Sequence, residues 1–338
     1  MKKHAIIPVF IPHKGCPNDC VFCNQKAITA RTTDVSPEDV KNLIERYLPT
    51  LQGRGLETIE VAFFGGSFTG IPMEEQSAFL AVAKEYKDKG VIDKIHMSTR
   101  PDYISREILD NLKKYDADII ELGVQSFDSE VLEASNRGHE AEDVYKACEL
   151  IKEYGFELGI QLMIGLPKDS LEKCIYSANE AVKIGPSIAR LYPTIVLNDT
   201  ELLEMYRRGE YTPMTTDEAV VITKEMYKIL DNAGINIIRV GLKSTDLITE
   251  GGEIQGHTYH PAFRQLVEGE IAREQLEAQL NGVTAGTFTF LSNGTSFSNM
   301  IGNSKANKLY FAEKYPDLKI AYKVDHSLED SKYIVVKY

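Results

Sequence analysis

Apolar residues follow two different periods along the first 240 positions of the chain. Short runs rich in Val, Ile and Phe predict buried strands, and stretches with apolar residues three or four positions apart predict helices. The predicted strands are 5–11, 58–64, 94–99, 118–125, 157–165 and 187–194. The predicted helices begin with one capped by Ser36 and continue at about 73–88, 105–114, 141–154, 169–184, 200–208 and 215–233.

This alternation of strands and helices predicts a parallel sheet, which either an open doubly wound fold or a barrel would satisfy. Residues of types that often bind ligands follow every predicted strand. A barrel brings the carboxyl ends of all its strands to one face, where its site lies. An open doubly wound sheet binds ligands mainly at its switch point. Pro8 inside the first strand predicts an edge position. We therefore expect an α/β fold, a partial (β/α)6 TIM-like barrel that is left partly open, over residues 1–240.

The alternation stops after about residue 240, where a stretch rich in Gly and Thr follows. A helix is predicted at 261–280 and another at about 304–315, with strands at 286–292, 318–324 and 333–338. These elements predict a small α+β C-terminal extension over residues 241–338, which could cover the open side of the barrel and contact the substrate.

Composition limits the classes of protein that this chain can be. Hydrophobic residues make up 43% of it, and no apolar run approaches the ~20 residues that a membrane-spanning helix needs. We expect a soluble, cytoplasmic protein that does not contact a membrane. The net charge of −12 disfavours a broad nucleic-acid-binding surface but leaves a local basic patch open. Thiols stay reduced in the cytosol, so grouped cysteines indicate metal binding or catalysis.

Three cysteines lie close together in the segment HKGCPNDCVFCNQ, directly after the first predicted strand. Cys16, Cys20 and Cys23 are separated by three residues and then by two. Three thiolates can bind three irons of a cubic four-iron cluster and leave the fourth iron free for a ligand that is not protein. The spacing therefore favours an iron–sulfur cluster.

A zinc site and three unrelated thiols are the alternatives. Zinc sites usually pair cysteines as C-x2-C with a second pair or histidines farther along the chain. His13 could be a fourth ligand, but the sequence has no second cysteine pair. Cys148 and Cys174 each lie on an apolar helical face, so we expect both in the core.

The segment Cys16-x3-Cys20-x-Phe22-Cys23 resembles the signature of the radical SAM superfamily. The resemblance implies that Cys16, Cys20 and Cys23 are the metal-binding and catalytic residues and hold a [4Fe-4S] cluster. It further implies that S-adenosyl-L-methionine binds the open iron and is reductively cleaved to a 5′-deoxyadenosyl radical. The electron would come from an external donor of the flavodoxin or ferredoxin type. The superfamily fold is a partial barrel, in agreement with the strand pattern.

The resemblance also assigns residues that would contact S-adenosylmethionine. Phe22 would pack near the adenine, although an ordinary core aromatic is the alternative interpretation. Gly65 and Gly66 would leave their backbone amides open to the methionine amino group, although a simple turn explains two glycines equally well.

Three further residues match cofactor-binding positions of related enzymes, and a fourth, Ser98, departs from the residue that relatives carry at its position. Gln125 and Arg137 match positions that bind the ribose and the methionine carboxylate, and the planar fork of an arginine suits a carboxylate. A surface salt bridge is the alternative for Arg137. Gln161 stands where a ribose-contacting residue lies in the oxygen-independent coproporphyrinogen oxidases. Ser98 stands where relatives often carry a glutamate near the amino group.

Within the superfamily, the chain most resembles the radical SAM core of the Elongator catalytic subunit, which modifies the wobble uridine of tRNA. The matching segments include STRPDYI (98–104), ELGVQSFDSEVLEASNRGH (121–139) and ARLYPTIVLNDTELLEMYRRGEYTP (189–213). That subunit carries an acetyltransferase domain, and this chain ends at Tyr338, too soon to include one. The sequence also lacks an R/Q-x-x-G-x-G/A loop, so acetyl-CoA is not an expected partner, whereas tRNA or another RNA is a possible substrate.

Other residues carry weaker functional interpretations. His257, Tyr259 and His260 could donate a hydrogen or a proton, but a structured loop explains them better. Residues 302–305 precede a helix with Lys308 and could bind an anion, although a plain helix cap explains them more simply. Four residues could line a path for RNA: Arg190, Tyr192, Arg207 and Arg208. For Arg207 and Arg208, an ordinary solvated face is the alternative interpretation.

Three functions therefore stay open at the level of sequence. The first is a radical SAM enzyme that acts on an RNA base, and the second is one that acts on a small molecule or a tetrapyrrole. The third is a non-catalytic module that binds an iron–sulfur cluster or zinc. Cleavage of S-adenosylmethionine separates the first two from the third, and binding to tRNA separates the first from the second.

Overall fold

The computed structural model describes residues 4–11, 16, 20–24, 35–242 and 253–338. Its strands in chain order are β1 (His4–Ile11), β2 (Thr58–Gly65), β3 (Lys94–Thr99), β4 (Ile119–Gln125), β5 (Glu157–Ile164), β6 (Ile188–Pro193), β7 (Val196–Leu197), β8 (Asn236–Val240), β9 (Ile254–Gln255), β10 (Gly286–Ser292), β11 (Leu318–Val324) and β12 (Ile334–Lys337).

The α-helices alternate with the strands through the first part of the chain and then cluster near its end. They are α1 (Pro37–Leu51), α2 (Met73–Asp88), α3 (Arg106–Lys114), α4 (Ser129–Ala134), α5 (Ala141–Glu153), α6 (Leu171–Ile184), α7 (Glu201–Arg207), α8 (Thr216–Asn232), α9 (Phe263–Gln279), α10 (Phe297–Ile301) and α11 (Ala306–Lys314). Their bounds agree with the predicted helices to within a few residues, and α4 and α10 are additional.

A seven-stranded parallel sheet in the order β1-β2-β3-β4-β5-β6-β8 forms the main layer of the described chain. The first strand pairs with β2 alone, so Pro8 lies on an edge strand as predicted. The other edge is β8, which pairs with β6. Strands β1 and β8 do not pair with each other in the described residues, so the sheet stays open and has the partial-barrel form that the sequence predicts.

The seventh strand, β8, is absent from the six strands that the hydrophobic pattern predicts. The pattern ends the alternation at the helix that stops before Gly234, and the short apolar run at 236–240 follows immediately. Ile237 and Val240 are buried, so this run extends the sheet by one strand.

The sheet is strongly curved, as one side-chain contact shows. Strands β6 and β2 are four steps apart in the sheet order, which would separate them by about 19 Å in a flat sheet. Nevertheless, the guanidinium carbon of Arg190 on β6 lies 4.7 Å from the ring centre of Phe64 on β2. The concave face of the sheet therefore encloses a narrow lumen, and polar side chains fill it.

The convex face carries the main apolar core, because the helices pack their apolar sides against it. Val40 and Ile44 of α1 are fully buried there, and Ser36 caps this helix in a reciprocal arrangement with Asp39. The same apolar cluster includes Cys148 and Cys174, which are buried as predicted. Burial raises the pKa of the Cys148 thiol to about 12, so this thiol stays protonated.

The last part of the chain has a second apolar cluster around a three-stranded sheet with β10 at its centre. Helix α9 contributes to both clusters: Phe263 and Val267 join the main core, and Ala272 and Leu276 join the second. The predicted boundary between residues 240 and 241 stays a prediction. Within the described ranges, none of the helices combines the length and the apolar character that crossing a bilayer requires.

Candidate functional site

The three cysteines lie beyond the carboxyl end of β1, at one mouth of the barrel. Cys20 is buried, Cys16 and Cys23 are half-buried, and none of the three is in a disulfide. The amide of Cys23 donates a hydrogen bond of 3.0 Å to the Cys20 carbonyl, which closes a tight turn between these two residues. The donor set suits an iron–sulfur cluster, because it offers three thiols from one loop. Among the residues that the structure describes, no three cysteine, histidine or acidic side chains are already spaced as metal ligands.

Val21 fastens this turn to the rest of the fold. Its amide donates to the Ser135 carbonyl at 3.1 Å, and its carbonyl accepts from the Leu202 amide at 2.7 Å. Phe22 packs beside Val21 against a small apolar cluster that includes Leu202 and Tyr211. The structure thus gives Phe22 a packing role, and its contact with adenine stays a prediction.

Two buried arginines surround the cysteines. Arg137 donates from Nη1 to the Cys20 sulfur at 3.4 Å and from Nη2 to the Gly123 carbonyl at 2.6 Å. Arg100 donates to the Arg137 carbonyl at 2.7 Å and to both oxygens of Asp102. Burial raises the pKa of the Cys16 thiol, and the positive charges of Arg137 and Arg100 oppose that rise. Burial is the larger effect, so the two arginines offset only part of the cost of forming the thiolate that a metal requires.

His139 belongs to the same region, although the sequence pattern did not single it out. It is buried, and its pKa is lowered to about 3, first by burial and then by the charges of Arg137 and Arg100. The imidazole is therefore neutral at physiological pH and adds no further positive charge to the site.

The glycine pair at the end of β2 is held against the strand that leads to the cysteines. Gly65 has a φ of +111°, and a Cβ atom there would lie 2.6 Å from the Ile11 carbonyl oxygen. The amide of Gly66 donates to that same oxygen at 2.8 Å. Position 65 therefore requires glycine for its backbone conformation and for its close approach to β1.

Gln125 and Arg137 are brought together above β4, and their role in binding a cofactor stays a prediction. Gln125 adopts a φ of +70° next to a bulge in the pairing of β4 with β5. A Cβ atom at Gly123 would lie 2.9 Å from Arg137 Nη2 and 2.9 Å from Gln125 Nε2. Within the described chain, Gln125 Oε1 and Arg137 Nε are buried without hydrogen-bond partners. Buried polar atoms of this kind are suited to a polar ligand such as S-adenosylmethionine.

Ser98 and Gln161 also meet, deeper in the lumen. Gln161 Nε2 donates to Ser98 Oγ at 3.0 Å and to a carboxylate oxygen of Glu121. Glu121 is fully buried, and its other oxygen accepts from Arg190 Nε at 2.6 Å. Glu121 was not among the predicted site residues. A charged residue within the buried run IIELGVQ is the sequence signal that could have indicated it.

A line of charged side chains continues from Glu121 toward the other end of the lumen. His96 Nε2 lies 3.7 Å from a Glu121 oxygen, and His96 Nδ1 lies 3.2 Å from Glu60. His4 Nε2 lies 2.7 Å from the second oxygen of Glu60. Burial would raise the pKa of Glu60, but hydrogen bonds from the two histidines lower it to about 2. The lumen is therefore lined by polar side chains, and Glu121, His96, Glu60 and His4 contact one another in that order.

The remaining sequence candidates lie elsewhere. Arg207 and Arg208 are exposed and pair with glutamates, which fits a solvated face. His260 Nδ1 accepts from the Ala262 amide at 3.1 Å, which fits a structured turn before α9. Residues 302–305 form turns before α11 and pack on α9 through Asn303 and Gln265. The functional interpretations of these residues stay predictions.

Two family models match successive parts of the chain, and the second match crosses the predicted boundary at residue 240. The family model of the Radical SAM superfamily matches residues 10–180, and that of the Radical_SAM C-terminal domain matches residues 186–273. The first match covers half of the chain and includes the cysteine segment, both glycines and Arg137. The chain belongs to the radical SAM superfamily and is an enzyme of that class. The [4Fe-4S] cluster and S-adenosylmethionine are therefore its cofactors.

Several curated relatives are similar over the barrel. The chain is 29% identical over 259 residues to a tRNA uridine(34) acetyltransferase of Methanocaldococcus infernus, a match that covers 64% of this chain and 48% of the relative. It is 25% identical over 269 residues to the human Elongator complex protein 3, covering 67% of this chain and 49% of the relative. The chain thus spans about half the length of these relatives.

One solved structure supports the fold. The archaeal Methanocaldococcus infernus Elp3, solved with an N-terminal deletion, superimposes with a TM-score of 0.63 at 23% sequence identity. The match covers 81% of this chain and 64% of that one. At this identity the likeness shows the shared fold, which is the curved parallel half-barrel predicted from the strand pattern.

Proposed function

We propose that this radical SAM enzyme modifies a base of tRNA, with uridine as the first candidate. The observation that carries the proposal is the similarity of this chain to proteins named tRNA uridine(34) acetyltransferase and Elongator complex protein 3, which covers about two thirds of this chain. The cysteines and Arg137 lie within residues 10–180, which match the superfamily model.

The chain's own residues would hold the two cofactors at the mouth of the barrel. Cys16, Cys20 and Cys23 would be the cluster ligands, and Arg137 donates a hydrogen bond to the sulfur of Cys20. When bound there, the two cofactors would supply the radical chemistry that abstracts a hydrogen atom from the substrate. Gln125 offers a free carbonyl oxygen to a polar group of S-adenosylmethionine.

The glycine turn and the deeper polar residues would complete the cofactor site. Gly65 and Gly66 place backbone next to the start of the cysteine segment without a side chain in the way. Ser98 and Gln161 hold each other in a fixed orientation, so they can present polar atoms without rearranging. Phe22 would close the adenine side.

The acidity of the chain limits how it can bind RNA. A net charge of −12 opposes a polyanion at long range, so affinity must come from local cations near the open side of the barrel. Steep weakening of binding with added salt would indicate such contacts. We further propose a cytoplasmic reaction, an external flavodoxin or ferredoxin as electron donor, and chemistry that does not use acetyl-CoA.

The test is anaerobic incubation of the reconstituted enzyme with S-adenosylmethionine, dithionite and bulk tRNA, followed by mass spectrometry of the digested nucleosides. The proposal expects a modified nucleoside that appears with wild type and not with Cys20→Ala. A salt series of tRNA binding runs in parallel. Cleavage of S-adenosylmethionine without any new nucleoside, together with only nonspecific tRNA affinity, would favour a small-molecule or tetrapyrrole substrate instead.

A further inference from the structure

Arg190 occupies an unusual position, because its side chain crosses the lumen of the barrel. It begins on β6, and its guanidinium reaches Glu121 on β4 and the ring of Phe64 on β2. The residue is nine-tenths buried. The Arg190 side chain therefore forms the lower surface of any cavity that lies above it in the half-barrel.

Three contacts fix the orientation of this guanidinium. Nε donates to Glu121 Oε2 at 2.6 Å, Nη1 donates to the Tyr192 hydroxyl at 3.3 Å, and the planar group lies over the Phe64 ring. Glu121 is held in turn by Gln161, which bonds to its other oxygen. The guanidinium therefore has little freedom to rotate, and its direction is set before any ligand arrives.

One nitrogen of this group is left over. Within the described residues, Nη2 of Arg190 is buried and has no hydrogen-bond partner. The Tyr192 hydroxyl, which accepts from Nη1, still has its own proton to donate. Arg190 and Tyr192 together present two donor atoms, Nη2 and the hydroxyl oxygen, and a ligand that complements them must supply an acceptor oxygen.

The charge balance around Arg190 indicates which kind of oxygen fits. The positive charge of Arg190 is already matched by Glu121, which is fully buried. A carboxylate or phosphate at Nη2 would add an unmatched negative charge to a buried neutral pair, which is unfavourable. Arg239, the register partner of Arg190 on β8, is a second cation, but it is half-buried and its charge is screened by solvent. A neutral carbonyl oxygen satisfies the donors without that cost.

The position along the strands places these donors beside the cofactor residues. Arg190 is in register with Gln161 on β5, and Gln161 is in register with Gly123 on β4. Gly123 contacts Arg137, the residue that donates to the Cys20 sulfur. A group held by Arg190 would therefore lie about two strand spacings, roughly 10 Å, from the residues that surround the cluster ligands.

We propose that Arg190 and Tyr192 form the subsite that binds a neutral carbonyl oxygen of the substrate, with Glu121 as the residue that positions Arg190. The identification of that oxygen as a uracil carbonyl rests on the proposed function. The subsite disfavours the carboxylate side chains that a tetrapyrrole would bring into the lumen.

The test uses the reconstituted protein loaded with S-adenosylmethionine and four probes: uridine, 2-thiouridine, 4-thiouridine and succinate. Sulfur accepts hydrogen bonds more weakly than oxygen, so we expect one thio analogue to bind less tightly than uridine, and succinate to bind weakest. Tyr192→Phe removes one donor. The pair Arg190→Met with Glu121→Gln removes the guanidinium without leaving a buried unpaired charge. Each variant should weaken uridine binding, the pair by about 10- to 100-fold.

Arg106→Met is the matched control, because Arg106 is exposed and pairs with Glu153 on an outer helix. It should bind uridine as wild type does, and thermal melting checks that all variants are folded. The same variants are then assayed for tRNA modification. If wild type leaves tRNA unmodified but uridine binding depends on Arg190 and Tyr192, the carbonyl subsite stands and the proposed function fails.

Other outcomes would contradict the proposal of a carbonyl-binding subsite. If wild type modifies tRNA and the variants do so at the same rate and with unchanged uridine affinity, the subsite is wrong while the proposed function stands. Tighter binding of succinate than of uridine, lost in the Arg190 variant, would show that the donors serve an anionic oxygen.

Discussion

Arg137 Nη1 donates a hydrogen bond to the Cys20 sulfur at 3.4 Å, across 117 positions of sequence. The same guanidinium holds the carbonyl of Gly123 and so ties the cysteine segment to β4. Because hydrogen bonds and positive charge near cluster sulfurs stabilise the reduced form of the cluster, Arg137 is placed to tune how easily it accepts an electron.

Arg137→Met should therefore make the cluster harder to reduce. We expect its reduction potential to shift to more negative values, and 5′-deoxyadenosine to form more slowly at a fixed reductant concentration. A redox titration followed by electron paramagnetic resonance measures the shift. Arg106→Met is the control, because Arg106 is exposed, pairs with Glu153 of α5 and lies over the ring of Tyr154. An unchanged potential in a variant with a fully loaded cluster would refute this role.

Gly65→Ala should destabilise the fold. The new methyl group would meet the Ile11 carbonyl oxygen at 2.6 Å in a backbone conformation with a φ of +111°. We expect a loss of about 2 kcal/mol in the free energy of unfolding, measured by urea titration. Gly53→Ala separates the two causes, because Gly53 also has a positive φ of +74° but has open space around its Cβ position. Equal losses in the two variants would show that the close approach to Ile11 contributes nothing.

Gly123→Ala should impair cofactor binding more than it impairs folding. The added methyl group would lie 2.9 Å from the side-chain nitrogens of both Arg137 and Gln125, and both side chains would have to move. We expect the affinity for S-adenosylmethionine to fall at least about tenfold, measured by equilibrium dialysis with the reconstituted protein. Gly269→Ala is the control, because its nearest neighbours lie at 3.7 Å or more. Unchanged affinity in Gly123→Ala would remove Arg137 and Gln125 from the cofactor site.

The contact between His4 and Glu60 predicts a pH dependence of stability. The pKa of Glu60 is lowered from 4.5 to about 2, so its contribution is present above pH 4.5 and is lost as the pH falls toward 2. The hydrogen bond that His4 donates to Glu60 raises the pKa of His4 above 6.5, so its contribution is present below that pH and is lost as the pH rises through the raised value. The joint contribution is therefore largest between about pH 4.5 and 6.5.

Urea unfolding of wild type and His4→Gln at pH 5.5 and 8.5 tests this dependence. The His4 side chain is 42% exposed, so solvent screening limits the expected difference to about 0.5–1 kcal/mol at pH 5.5, with a smaller one at pH 8.5. A difference that is equal at both pH values would contradict the assigned linkage.

The sequence predicts the curved sheet well, because its strands are continuous apolar runs separated by helices of clear period. It also singles out the cysteines and the residues at strand ends, and the structure brings Gln125 beside Arg137 and Ser98 beside Gln161. Their roles toward the cofactor stay predictions.

The partners of the buried charges could not be predicted in the same way. Glu121 and Arg190 are 69 positions apart, and only the curvature of the sheet brings them into contact across the lumen. Periodicity shows which face of a strand a residue occupies, but it does not show how far the sheet bends. The short strand β8 was missed for a related reason, because a five-residue apolar run carries little periodic signal.

The most direct measurement is 5′-deoxyadenosine formed anaerobically from S-adenosylmethionine and dithionite, with wild type, Cys20→Ala and Cys148→Ala compared at equal protein concentration. Cys148 is a buried core thiol away from the candidate ligands, so its variant controls for the loss of any cysteine. We predict that wild type and Cys148→Ala form the product and that Cys20→Ala does not. Equal product from all three proteins, or none from a wild type with a fully loaded cluster, would contradict the account.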